Sequence, residues 1–292
     1  MGNMTETTTR PVATVEAALD PIGRLADGGW LRPTGAPGLL SFTPKFETVM
    51  AGLQAALTAA DASSAGPEWY PPVVPLATIE RAQYTEGFPH LLGTVHALAS
   101  QDPDADRTPT NVVLAPAVCY SVYPQVADTV IEGPLHFDAA GYCYRHEATA
   151  ELGRFRSFRM REFIIVGGAD AAWQWRGAWI ARCEALFARL GLEPAVTAAS
   201  DPFFGPGGRF MKSSQIEQSL KYEFVVPLHD NDPGTAIASA NCHKDHLGEL
   251  FAIGHVDGGP AHSSCMAFGL ERTALALIHA HGDNLADWPE LV

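Results

Sequence analysis

Residues 142–168 read YCYRHEATAELGRFRSFRMREFIIVGG, and this stretch decides the fold. Its two ends, YCYRHEA (142–148) and SFRMREFIIVGG (157–168), are rich in the aromatic and β-branched residues that suit a half-buried strand. Polar and small residues separate them, so the pair predicts an antiparallel hairpin with a long loop. Arg145 and Glu147 stand two apart and share one face of the first strand. An Arg and a Glu at alternate positions also suit a solvated sheet face, so the hairpin alone names no chemistry.

Working outward, DAAWQWRGAWIARCEALFARLGL (170–192) carries apolar residues at helical spacing and predicts an amphipathic helix. LKYEFVVPL (220–228) and TAIASANC (235–242) predict strands, and HSSCMAFGLERTALALIHAHG (262–282) predicts a strand running into a helix with Gly269 at the junction. Upstream, Thr43 and Pro44 read as the N-cap and first residue of a helix reaching about Ala60. DASSAGPEWYPP (61–72) predicts a loop, PPVVPLATIE (71–80) a short apolar strand with a terminating proline, and NVVLAPAV (111–118) a buried strand. Mixed strands, a hairpin and long helices indicate an α+β class, a sheet with helices against it.

Bulk properties bound the function. The 292 residues suffice for one large core, expected over 21–292 as a single catalytic domain after a disordered leader at 1–20. That leader is polar and Thr-rich without an apolar h-region, and no apolar run reaches the roughly 20 residues of a membrane span, so a cytoplasmic protein without a membrane partner is expected. A formal net charge of −14 counts against nucleic acid, whose affinity comes largely from phosphate neutralisation. The five cysteines, at 119, 143, 183, 242 and 265, form no CxxC pair, which excludes a disulfide framework and a zinc ribbon. Any metal site must be assembled from distant segments. NCHKDH (241–246) crowds Cys242, His243, Asp245 and His246, but alternate strand side chains face opposite ways and cannot all reach one ion.

Three segments together resemble the class II aminoacyl-tRNA synthetases. YRHE (144–147) with its loop and FRMREF resembles that class's motif 2. AFGLER (267–272) resembles motif 3 with Ala in place of the first Gly, and WYPPVVP (69–75) resembles motif 1 at a dimer interface. Their order, and the spacing of about 120 residues from Glu147 to Ala267, set them apart from chance matches. The resemblance implies a class II synthetase-like antiparallel sheet flanked by helices, a homodimer, and adenylate chemistry on ATP. It implies that Arg145 pairs with the α-phosphate and the amino-acid carboxylate, that Arg272 holds the γ-phosphate, and that Glu147 accepts from the adenine amino group. Phe158 or Phe163 would stack on the adenine. Fixed guanidiniums suit this role because ATP and a carboxylate repel each other as charge builds during in-line attack.

Within the class the chain is most similar to the zinc-dependent seryl enzymes and to the short amino acid:[carrier protein] ligases, over about Pro67 to Leu277. On that resemblance Cys119 in LAPAVC, Glu162 in REF and Cys265 in SSCMAF match a Cys-Glu-Cys zinc site. A three-ligand zinc keeps one position open, which there takes the substrate amine. Arg145, Arg159 and Glu162 are the implied contacts to the amino acid, with Arg159 or Arg161 offsetting the charge of the metal site. Asp245 or Glu249 is a candidate for the Mg²⁺ that accompanies ATP.

About 65 residues precede WYPPVVP, too few for a long tRNA-binding arm, so tRNA is an unexpected acceptor. The ligase resemblance implies transfer to the phosphopantetheine thiol of a small acidic carrier protein, with Arg154, Arg156, Arg209, Lys212 and Lys221 as docking candidates. Val225 stands where seryl enzymes keep a Glu that holds serine, so glycine or alanine is the expected substrate. Other acceptors of the adenylate, or a non-catalytic amino-acid-binding paralogue, are the competing readings.

Overall fold

The computed structural model describes residues 20–61, 63–147, 149 and 151–291. Apart from Asp20, the expected leader lies outside the described residues. The main sheet has seven strands: β1 Glu68–Tyr70, β2 Leu135–Tyr144, β3 Ser157–Gly167, β4 Ala195–Ala198, β5 Lys221–Val226, β6 Thr235–Lys244 and β7 His262–Gly269. Their spatial order is β4-β5-β6-β7-β3-β2-β1. The expected hairpin is β2–β3, in register from Leu135 opposite Val166 to Tyr144 opposite Ser157, but its first strand ends at Tyr144, so Arg145 and Glu147 lie just past the strand rather than on one face of it. Neighbouring strands run antiparallel except at one edge, where β1 pairs with β2 in parallel.

Four helices of eight residues or more accompany the sheet among the described residues: α1 Pro44–Ala60, α2 Ala169–Arg189, α3 Gly205–Glu217 and α4 Leu270–His281. Helix α1 begins where the sequence indicates, with the Thr43 hydroxyl accepting from the Phe46 N–H and Pro44 needing no partner for an absent N–H. Helix α4 follows β7 directly through Gly269. Helices α1, α2 and α4 bury their apolar faces on one side of the sheet, around Phe46, Trp179, Phe187, Phe268 and Leu277.

Alternation along β3 sorts its side chains between that core and the opposite face. Arg161 points to the helices, where it pairs with Asp138 at 2.6 Å and donates to Gln54 O at 2.7 Å. Arg159 points the same way and is taken up by Glu271 at 2.6 Å and Glu47 at 2.8 Å. Phe163 stacks on Trp179 with ring centroids 4.3 Å apart. With the Phe163 ring buried to 1% exposure, Phe163→Ala should lower unfolding stability by about 3–5 kcal/mol, read from the denaturant midpoint.

Two expected strands are shorter than their apolar runs. The first is only Val73–Pro75, in a separate three-stranded sheet with Thr94–Leu98 and Arg107–Leu114, while Glu68–Tyr70, inside the segment expected to be a loop, is instead a strand of the main sheet that ends at Pro71 and Pro72. Proline supplies no ladder N–H, which confines it to such ends. Residues Leu76–Arg81 then form a helix, and the second strand stops at Leu114 rather than running to Val118. Helix α3 was hidden by GPGG (205–208), which reads as a loop. Gly208 is required there by a close approach: a Cβ would meet Phe203 O at 2.5 Å.

Candidate active site

A cleft of about 530 Å³ opens on the sheet face away from α1, α2 and α4. Its floor is built from the cleft-facing positions of successive strands. Glu162 on β3 lies opposite Ala267 on β7, Ala267 opposite Ser239 on β6, and Ser239 opposite Glu223 on β5. A neighbouring row runs from Cys265 through Asn241 to Lys221. Arg145, Glu147, Phe158, Glu162, Cys119, Cys265 and Arg272 all border this cleft. Phe163 and Arg159 do not, because their odd positions on β3 turn them to the helix side. Arg161 is excluded for the same reason.

One end of the cleft holds cations with few anions to match. Arg145 donates Nε to Pro116 O at 3.2 Å, with its guanidinium 5.4 Å from the Phe158 ring. Arg272 donates to Gly153 O at 2.8 Å and Ala236 O at 3.0 Å. Gly153 presents that carbonyl from a φ of +86°, open to glycine at little cost. Among the described residues, the ion pairs of this hairpin go to Arg154, Arg159 and Arg161, whereas Arg145 and Arg272 bond carbonyl oxygens only. Burial, then the charges of Arg145 and Arg154, push the Arg272 guanidinium down to about 10. A half-buried guanidinium with no carboxylate bonded to it is well placed to take up an incoming polyanion.

The other end gathers Cys119, Glu162 and Cys265. Glu162 Oε1 accepts the N–H of Val118 at 3.0 Å and of Cys119 at 3.2 Å. Both thiols lie close enough to feel the charge of the same carboxylate. Burial, and then the Glu162 charge, hold both thiols well above the usual thiol range, and burial raises Glu162 despite its donors. Among the described residues, no group of three or more His, Cys, Asp or Glu is arranged to hold a metal ion as it stands. The donor chemistry nevertheless fits one: two thiols and a carboxylate that oppose each other's ionisation reverse that preference beside a divalent cation.

No protein-family model matches the chain. An amino acid–[acyl-carrier-protein] ligase of Bradyrhizobium diazoefficiens is 37% identical over 94% of this chain and 89% of its own length. The chain belongs to the amino acid–[acyl-carrier-protein] ligase family. A type-2 serine–tRNA ligase of Methanococcus aeolicus is 25% identical over 96% of this chain, which spans 59% of that relative. The seryl-tRNA synthetase of M. kandleri, solved in complex with a tRNASec of A. aeolicus, superimposes with a TM-score of 0.78 at 23% identity, over 92% of this chain and 58% of that one. The fold is that of a class II synthetase catalytic core, and by family this protein is a ligase.

In this ligase several cleft residues escape a sequence reading. Asn241 Nδ2 donates to Cys265 Sγ at 3.3 Å and Ser239 Oγ at 3.1 Å. The His243 ring sits with Nδ1 3.0 Å from Ser263 Oγ and Nε2 3.8 Å from Cys265 Sγ. Burial lowers His243 to about 4, so the ring is neutral near pH 7. A bulge between Cys242 and Lys244 turns β6 here, and NCHKDH does not converge on one point. Asp245 and Glu249 do not border the cleft, while Asp201, Glu223 and Glu271 do. Lys221 is a correction too: it lies inside the cleft, 2.6 Å from Asp201 and 3.1 Å from Glu223, rather than on an outer surface. The one available signal was alternation, since Lys221, Glu223 and Val225 share the cleft face of β5.

Proposed function

We propose that this ligase activates a small amino acid with ATP as its aminoacyl-adenylate and passes it to the phosphopantetheine thiol of a carrier protein. The observation that carries the reading is one cleft holding two half-buried guanidiniums whose side chains hydrogen-bond only carbonyls and, beyond them, a thiol–carboxylate–thiol set. In the first step an amino-acid carboxylate oxygen bonds the α-phosphorus and pyrophosphate leaves. Arg145 bridges the α-phosphate and that carboxylate, and Arg272 holds the γ-phosphate. Glu147 accepts from the adenine amino group, and Phe158 is the ring that stacks on adenine, with Mg²⁺ accompanying the phosphates. In the second step the carrier thiol attacks the acyl carbon, a thioester forms and AMP leaves.

Cys119, Glu162 and Cys265 would hold Zn²⁺, which supplies an open Lewis-acid position for the substrate α-amino nitrogen. Val225 borders the cleft as an apolar side chain, which leaves a substrate hydroxyl without a partner and supports glycine or alanine.

Carrier docking is assigned to α3. The helix exposes Phe210, Met211 and Ile216 as well as Arg209, with Phe210 at 79% exposure. Exposed apolar side chains interspersed with Arg209 and a partly exposed Lys212 suit a small acidic partner. Arg154 lies at the cleft mouth and serves the same partner or the phosphates. The exposed Trp69 on β1 and Tyr142 on β2 support a homodimer through that edge. Five buried free thiols suit the reducing cytoplasm, and no described helix is long and apolar enough to cross a membrane. The charge of −14 favours a protein acceptor over tRNA.

The test is amino-acid-dependent ATP–pyrophosphate exchange across the proteinogenic amino acids, with zinc measured in the same preparation. The expected result is exchange with glycine or alanine and about one zinc per chain. No exchange with any amino acid at full zinc occupancy would overturn the reading.

A further inference from the structure

Residues 199–217, the loop after β4 followed by α3, roof the cleft, with Ser200, Asp201, Pro202 and Gln215 facing into it. The roof is fastened on two sides. At the far rim Phe203 stacks on Phe88 with centroids 5.1 Å apart, Phe204 stacks on His90 at 5.3 Å, and the Phe204 N–H donates to Gly87 O at 2.9 Å. At the sheet side the backbone is tied by the Ala199 N–H to Lys221 O and the Leu220 N–H to Gln215 O, each at 3.0 Å, and the side-chain fastening is polar and centres on one residue. Asp201 gives its N–H to Gln215 Oε1 at 2.7 Å and accepts from Gln215 Nε2 at 2.8 Å through Oδ2. Its other oxygen, Oδ1, accepts from Lys221 Nζ at 2.6 Å, and Lys221 is held in turn by Glu223.

We infer that Asp201 is a positioning residue that latches α3 to the catalytic sheet, so that a carrier protein docked outside is aligned with the adenylate inside. The inference rests on the carrier reading above. The geometry favours a latch over a general structural tie because a single carboxylate joins the inner side of α3 to a β5 residue on the cleft floor. The Gln215 side chain makes both of its bonds to Asp201 and none to the floor, so it can be removed without touching Lys221, the guanidiniums or the thiols.

The experiment uses Gln215→Leu in the full chain, with three readouts. Pyrophosphate exchange should stay within about twofold of wild type, while the KM for a purified phosphopantetheinylated acyl carrier protein rises about tenfold. Amide exchange across α3 should quicken by about tenfold while β3 keeps its protection. Exchange activity falling in step with transfer would overturn the inference, because the roof would then serve activation itself. Unchanged α3 protection would overturn it as well. A wild-type enzyme that makes adenylate yet loads no carrier would defeat the carrier reading instead, and α3 protection would still judge the latch.

Discussion

Cys265→Ala should reduce amino-acid-dependent pyrophosphate exchange by at least about a thousandfold and leave the protein folded. The sulfur is buried on β7, where it accepts from Asn241 Nδ2 and lies 3.8 Å from His243 Nε2. Removing it deletes one of three donors, and a site of two donors holds zinc far more weakly. The fold should survive because the change removes a single atom from a small side chain, a loss of about 1 kcal/mol. Exchange kinetics, zinc content and a thermal melt on one preparation read all three effects. Full activity with no bound zinc would sink the metal assignment and would leave the guanidinium end of the cleft to account for catalysis.

Arg272→Ala should be comparably severe, with exchange falling about a thousandfold and ATP affinity weakened. Arg272 bonds only the carbonyls of Gly153 and Ala236, so the stability loss should be about 1–3 kcal/mol for acceptors left unsatisfied. Arg272→Lys separates charge from shape. Lysine keeps the cation but lacks the planar fork, so it should recover only part of the lost rate. If Arg272→Ala binds ATP as tightly as wild type, calorimetry would remove this residue from the phosphate site.

Much of this architecture was legible where local chemistry and long-range pattern agree. Thr43-Pro44 marks a helix start, Gly269 marks the turn from strand to helix, and the β2–β3 hairpin follows from its own composition. The cleft was legible to the extent that motif spacing brought Arg145, Glu147 and Arg272 together with the two thiols. Strand parity was available and decides between the two phenylalanines: Phe158 is an even step from Glu162, and Phe163 is not. The same count removes Arg159 and Arg161. What no pattern could supply was the path of a loop. Asp201, Gln215 and Lys221 meet because residues 199–204 cross the cleft, and GPGG conceals the helix that follows.

The two-faced character of β3 has a consequence for changing what the enzyme accepts. Its even positions, Phe158, Met160 and Glu162, border the substrate space, and its odd positions, Arg159, Arg161 and Phe163, tie the sheet to three helices. Substrate range and structural integrity are therefore written on alternate residues of one strand. A library that varies Met160 should shift selectivity at little cost in solubility, whereas one spread evenly over the strand would lose most of its members before any could be assayed.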